Sequence, residues 1–248
     1  MTIYFKQLGN YGRLGNCLFQ MAATIGTAAK YGDNYRFPFQ PFMNELNIPE
    51  WSRGGPMPPN APTYNEPHFH FAPVPRLSGI MNLHGYFQSE KYFEHCQDEI
   101  RQAFTPDWAN SNMTLGYENY TAIHVRRTDY LTHTGCYNIL RMENYYKRAM
   151  EICPSERYLI FSDDLEWCKT HFVGPQFDFS EQRDPIRDLG NMISCGNQII
   201  ANSSFSWWGA WLNPNPDKIV VAPGKWFGPQ LAPTHDTKDL IPDGWIKV

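Results

Sequence analysis

From residue 120 the chain reads YTAIHVRRTDYLTHTGCYNILRMENYYKRAMEICPSERYLIFSDD (120–164), and the reading of this stretch decides the fold. YTAIHVR (120–126) is a short run rich in apolar and β-branched residues, as a strand requires. ENYYKRAMEIC (143–153) carries good helix formers, and RYLIFSDD (157–164) is a second apolar run that ends on two carboxylates. Downstream the alternation continues. LEWCKTHF (165–172) reads as a helix, PQFDFS (175–180) as a short strand, and PIRDLGNMISC (185–195) as a helix with Pro185 at its start. NQIIANS (197–203) is a strand, SFSWWGAWL (204–212) a helix, and KIVVAP (218–223) the last clear strand. Strands alternating with short helices predict a parallel, doubly wound α/β sheet.

Upstream the pattern is less regular. TIYFKQL (2–8) reads as a strand, GNYGRLGN (9–16) as a loop, and NCLFQMAATIGTAAKY (16–31) as an Ala-rich helix. Residues 36–77 hold ten of the twenty prolines, with Gly54-Gly55 between them, and are expected to be irregular. GIMNLHGYF (79–87) reads as a strand. SEKYFEHCQDEIRQAF (89–104) reads as one helix capped by Ser89 and stopped at Thr105-Pro106. A division at 117/118 therefore separates an N-terminal lobe (1–117), containing the Pro-rich excursion, from a C-terminal lobe (118–248).

Composition limits what such a chain binds. With 248 residues there is enough chain to bury a core, and 15% are aromatic, which suits either a ring-rich core or sugar contacts. A net charge of −4 and no basic run argue against nucleic acid as the main partner. No run of ~18 apolar residues predicts a membrane span, and the N-terminus lacks a secretory pattern. Six scattered cysteines without a C-x-x-C pair argue against zinc and are read as reduced thiols, with a cytoplasmic location.

Ligands of doubly wound sheets sit beyond the carboxyl ends of the strands, and polar residues gather at three of them: Arg126–Asp129, Ser162–Asp164 and Asn202–Ser206. His124 and Arg126 alternate onto one face of their strand, and a single guanidinium there can clamp a diphosphate. A structural ion pair between Arg127 and Asp129 is the competing reading of the same loop. Ser203, Ser204 and Ser206 open a helix whose free N–H groups suit phosphate, although plain capping by Asn202 or Ser203 explains part of them. GRLGN (12–16) joins strand to helix like a shortened phosphate turn, with Arg13, Gly15 and Asn16 able to approach a ligand. Asp163 and Asp164 can hold a divalent cation, or one of them can cap the following helix. No G-x-S-x-G or H-E-x-x-H is present to anchor a hydrolase.

Taken together, HVRRTDY (124–130), GRLGN with Phe19-Gln20, GYFQSEKYF (85–93), FSDDLEW (161–167), IIANSSFSWWGAWLN (199–213) and APGKWF (222–227) resemble, in order, the motifs of the α-1,2-fucosyltransferases. The resemblance implies a GT-B-like α/β architecture, two Rossmann-type lobes with parallel sheets around a central cleft. It implies an inverting transfer of L-fucose from GDP-β-L-fucose to a sugar hydroxyl, the 2-OH of a galactosyl residue in a glycan. The donor is a substrate, and neither a cofactor nor an obligatory metal is expected.

The C-terminal lobe would bind the nucleotide and the N-terminal lobe the acceptor. Arg126 would pair with the diphosphate, His124 would lie near the nucleotide, and Ser203, Ser204 and Phe205 would line the phosphates. Ser162, Asp163 and Asp188 would surround ribose and guanine. Arg13, Gly15 and Asn16 would approach fucose and diphosphate, and Asp129 is the candidate for a base. Two residues depart from the family pattern: Thr128 stands where Gly is usual, and Cys17 where Gln is usual. The rival readings are a same-fold transferase with another linkage or GDP-sugar, and a glycan- or nucleotide-binding module without catalysis.

Overall fold

The computed structural model describes the chain except for residues 78, 107–108, 110–115 and 183. It forms two compact units, Met1–Asp107 with Asp236–Pro242, and Trp108–His235 with Asp243–Val248. A division at 117/118 does not anticipate that residues 236–242 pack with the first unit.

The first unit contains β1 (Thr2–Tyr4), α1 (Leu14–Tyr31), β2 (Asn34–Arg36), β3 (Thr63–Asn65), β4 (Ile80–His84) and α2 (Gln97–Phe104). Its strands run in the order β2-β1-β4-β3, and every pairing is parallel. α1 is the central helix of this unit; residues Cys17–Ala28 are buried throughout, so its small side chains suit close packing more than exposure.

Two expectations are corrected here. The Pro-rich region is irregular but supplies β3, whose Thr63–Asn65 register lies beside Asn82–His84. Residues 89–104 do not form one helix. Ser89 Oγ accepts from the Lys91 N–H (3.4 Å) and caps only a 3-10 turn, Glu90–Tyr92; a second turn, Glu94–Cys96, precedes α2. The break falls at Phe93, whose backbone turns to φ −144° while its ring is fully buried near Phe19 (6.4 Å). Burying an aromatic ring is worth about 1.5–3 kcal/mol, more than the propensity lost by breaking the helix.

The second unit contains β5 (Tyr120–Val125), α3 (Thr128–Thr132), α4 (Lys147–Ile152), β6 (Arg157–Ser162), α5 (Leu165–His171), β7 (Phe177–Phe179), α6 (Pro185–Ser194), β8 (Asn197–Ile199), α7 (Ser204–Leu212), β9 (Val220–Ala222) and β10 (Ile246–Lys247). The six strands lie in the order β10-β9-β8-β5-β6-β7, again all parallel. The helix expected over 143–153 opens as a wide π-type turn, Met142–Tyr146, before α4. α3 and β10 had no signal in the sequence reading.

Both faces of this sheet are covered, as parallel sheets require. Ile123, Val125 and Ile160 pack with Tyr146, Ala149, Cys168 and Phe172 on one side. Ala122, Leu159 and Phe161 pack with Met192 and Cys195 of the α6 segment on the other. Trp207, Trp208 and Trp211 are buried and in mutual ring contact, so the tryptophans of SFSWWGAWL belong to the core. Among the described residues no helix is long and apolar enough to cross a membrane.

Candidate active site

Strand order singles out one place on the six-stranded sheet. After β5 the chain builds β6 and β7 on one side, then returns to build β8, β9 and β10 on the other. The connections that follow β5 and β8 therefore diverge, and the crevice between such connections, at the carboxyl edge, is where open parallel sheets hold ligands. The residues leaving the two strands there are Arg126–Asp129 and Ile200–Ser203.

Alternation along β5 sends Ile123 and Val125 to one face and Ala122 and His124 to the other. On that second face His124 is buried. Its Nδ1 shares a hydrogen bond with Ser206 Oγ (2.8 Å), and its ring stands edge-on to Phe205 (5.6 Å). Burial, and secondly the neighbouring Arg126 charge, push the imidazole pKa down to about 3, so the ring is neutral at physiological pH. His124 thus fixes the first turn of α7 against β5 and brings no charge of its own.

Arg126 and Arg127 part at the end of the strand. Arg126 bonds Asp129 Oδ2 through Nη2 (2.6 Å) and Asp163 Oδ2 through Nη1 (3.0 Å), and lies over the Tyr130 ring (5.6 Å). Arg127 turns to α5, where Nε meets Asp164 Oδ2 (3.0 Å) and the guanidinium stacks on Trp167 (4.0 Å). The competing reading, an Arg127–Asp129 pair, is replaced by two others: Arg127 pairs with Asp164, and Asp129 holds Arg126. The reason is α3, which coils the chain immediately after Arg127 and brings Asp129 back over Arg126 at i,i+3.

The carboxylate pair divides its labour as an adjacent pair should. Asp164 caps α5 by accepting from the Trp167 N–H (3.2 Å). Asp163 accepts from the Arg127 N–H (2.9 Å) and the Thr128 hydroxyl (2.5 Å) as well as from Arg126. Thr128, unusual at its position, therefore supplies a hydrogen bond that glycine would not. Ser162 Oγ accepts from the Asp164 N–H (2.9 Å) and sets the turn carrying both carboxylates.

Across the divergence, Ser203 is the N-cap of α7, extended at φ −137°, with its hydroxyl facing the Phe205 N–H (3.4 Å). Ser204 is the first helical residue, so this nine-residue helix directs its N-terminal N–H groups to the edge where Arg126 stands. Tyr130 joins the two loops: its hydroxyl donates to the Asn202 carbonyl (2.8 Å), while Asn202 Nδ2 donates to the carbonyls of Asn138 (2.9 Å) and Trp226 (2.7 Å). Asp188 sits in the first turn of α6 and accepts from Ser180 Oγ (2.6 Å); burial pushes its pKa up to about 6.

His124, Arg126, Asp129, Asp163, Ser203, Ser204 and Phe205 are thus gathered around the ends of β5 and β8, with Ser162 beside them at the end of β6. Arg13, Gly15 and Asn16 lie in the first unit, at the start of α1. Asn16 Oδ1 accepts there from Gln88 Nε2 (2.9 Å). Sequence reasoning passed over Tyr130, and it named Thr128 and Ser206 without the partners they take, Asp163 and His124. Tyr130 lies within HVRRTDY and Ser206 within SSFS, so motif membership was the available signal; their partners appear only in three dimensions.

Comparison with known proteins bears on the family and the fold. Residues 66–248 match the model of glycosyl transferase family 11. An alpha-1,2-colitosyltransferase of Escherichia coli is 31% identical over 189 residues, covering 69% of this chain and 64% of that protein. The human galactoside alpha-(1,2)-fucosyltransferase 1 is 26% identical over 159 residues, covering 54% of this chain and 43% of the human one. The chain therefore spans less than two thirds of these relatives. A crystal structure of NodZ alpha-1,6-fucosyltransferase soaked with GDP-fucose superposes with a TM-score of 0.52 at 13% identity, covering 86% of this chain and 92% of that one. That likeness is one of fold, GT-B-like with parallel sheets. On the family match over most of its length, the chain belongs to glycosyl transferase family 11.

Proposed function

We propose that the protein is an inverting glycosyltransferase that moves L-fucose from GDP-β-L-fucose to the 2-OH of a galactosyl residue. The observation that carries this reading is Arg126 at the end of β5, beside the N-terminus of α7 at the end of β8. A guanidinium and the positive end of a helix dipole stabilise a departing diphosphate. As the C1–O bond to the diphosphate breaks, GDP takes the bonding electrons. The acceptor oxygen bonds C1 from the opposite side as the C1–O bond to GDP breaks, and the acceptor's proton passes to solvent water. Neutral His124 positions α7, Ser203 and Ser204 line the phosphates, and Asp163 and Asp129 orient Arg126. Ser162 and Asp188 belong to the nucleoside end of this site.

Metal-independent catalysis is part of the proposal. Its support is that Asp163 and Asp164 are engaged by Arg126, Arg127, Thr128 and the α5 cap. Six free thiols suit a reducing compartment, in keeping with a cytoplasmic enzyme. Incubation with GDP-fucose and lactose in the presence of EDTA is expected to yield GDP and 2′-fucosyl-lactose in equal amounts. Loss of turnover in EDTA with recovery on manganese would overturn the metal-free mechanism, and GDP binding without any product would favour a binding module. A second donor reading is favoured by the relative named for colitose: if GDP-fucose is bound but poorly turned over, another GDP-sugar is the donor.

A further inference from the structure

In the four-stranded sheet β1 and β4 are neighbouring parallel strands, so the chain segments that follow them, residues 5–13 and 85–89, leave the sheet side by side at its carboxyl edge. Two phenol rings stand on these segments in partial exposure, Tyr11 at 37% and Tyr86 at 38%. Single exposed aromatics are common and need no explanation. These two are held together.

One side-chain amide ties their backbones: Gln20 Nε2 reaches the carbonyls of Tyr11 (3.4 Å) and Gly85 (3.3 Å). The His84 ring stands edge-on to Tyr11 (5.2 Å) and shares a hydrogen bond with Asn65 Oδ1 through Nδ1 (3.0 Å). Glu66 accepts from the N–H groups of Tyr86 (2.7 Å) and Phe87 (3.0 Å). A β-carbon on Gly85 would stand 2.4 Å from Glu66 Cβ, so this approach requires glycine. Phe87 is held in the left-handed region, φ +53°, a strain that persists only where surrounding contacts over-determine it.

A carboxylate, an amide and a strained residue thus fix the backbone under two exposed rings, with Asn65 and His84 at the margin. Rigid aromatic surface beside amide and imidazole groups matches a pyranose, whose C–H face packs on rings while its hydroxyls seek hydrogen bonds. We infer that Tyr11 and Tyr86, flanked by His84 and Asn65, form the binding subsite for the acceptor galactoside. This inference rests on the transferase reading for its ligand class.

The test compares lactose kinetics and lactose binding in the wild type, Tyr11→Ala, Tyr86→Ala and Tyr86→Phe. Each alanine variant is expected to raise the KM for lactose about tenfold, the equivalent of one lost ring contact. The KM for GDP-fucose and the affinity for GDP should stay within about twofold. Tyr86→Phe keeps the ring and should retain near-wild-type KM, which separates lost stacking from misfolding. An active wild type whose alanine variants keep the lactose KM overturns the subsite. If the wild type binds GDP but transfers nothing, the transferase reading fails separately. Lactose binding by saturation-transfer NMR then decides the subsite: signals lost in Tyr86→Ala support it, and no signal in the wild type overturns it.

Discussion

His124 sits in an environment far from that of solution. Its imidazole is shut between β5 and α7, bonded to Ser206, with its pKa pushed down to about 3 by burial and then by Arg126. The consequence for stability has a definite sign. Below pH about 6.5 the unfolded chain protonates this histidine while the folded chain does not. The stabilisation from neutral His124 is therefore complete above that pH and is lost as pH falls toward 3. Comparing the Tm of the wild type and His124→Asn from pH 7.5 to 4.5, the advantage of the wild type should shrink steadily on acidification. Asp188, whose raised pKa acts in the opposite direction, is common to both proteins and drops out of the difference. An advantage that stays constant or grows would mean that the ring is charged in the fold. The neighbouring arginines show what sequence could not supply at this scale. Arg-Arg-Thr-Asp is visible as a cluster, but which guanidinium meets which carboxylate depends on α3 and on the approach of the β6 end.

At the scale of elements, α7 matters most, because its N-terminus forms half of the proposed phosphate site. Its position depends on packing against α6. A β-carbon on Gly209 would lie 2.9 Å from both Cβ and Sδ of Met192, so the two helices meet without room for a side chain. Gly209→Val gains a few tenths of a kcal/mol in helix propensity but overpacks this contact, a cost of about 1–3 kcal/mol. The net effect should be a lower denaturation midpoint in urea at unchanged slope, and an unchanged or higher midpoint would remove this contact from the account. Elements with strong periodicity or apolar runs were legible in the sequence: β5, β6, α6 and α7 fall where the alternation of strand and helix puts them. β3 was not, since Thr63–Asn65 is three polar or aromatic residues among prolines and becomes a strand only by pairing with β4. The 89–104 segment has helical spacing throughout, yet burial of Phe93 breaks it into turns. Tertiary packing, invisible to local propensity, decided both.

At the scale of the whole molecule, each of the two α/β units carries an all-parallel sheet, and each proposed site lies beyond the carboxyl edge of its own sheet. In the second unit that edge carries Arg126 and the α7 N-terminus; in the first it carries Tyr11 and Tyr86. The sequence pointed to the first of these sites because its polar residues cluster at successive strand ends. It concealed the other, whose rings lie far apart in sequence, with α1 and three strands between them, and whose backbones are brought together by Gln20. The central claim is that Arg126 stabilises the departing diphosphate. Its most direct test is the rate of GDP release from GDP-fucose with lactose present, measured for the wild type, Arg126→Ala and Arg126→Lys, with thermal unfolding as the control for folding. Because Arg126 also bridges Asp129 and Asp163, Arg126→Lys keeps a cation between them. Removing a guanidinium aimed at developing charge should cost Arg126→Ala more than about a hundredfold in rate. The lysine variant should recover part of that loss but not the bidentate contact. A folded Arg126→Ala that releases GDP at the wild-type rate would contradict the account.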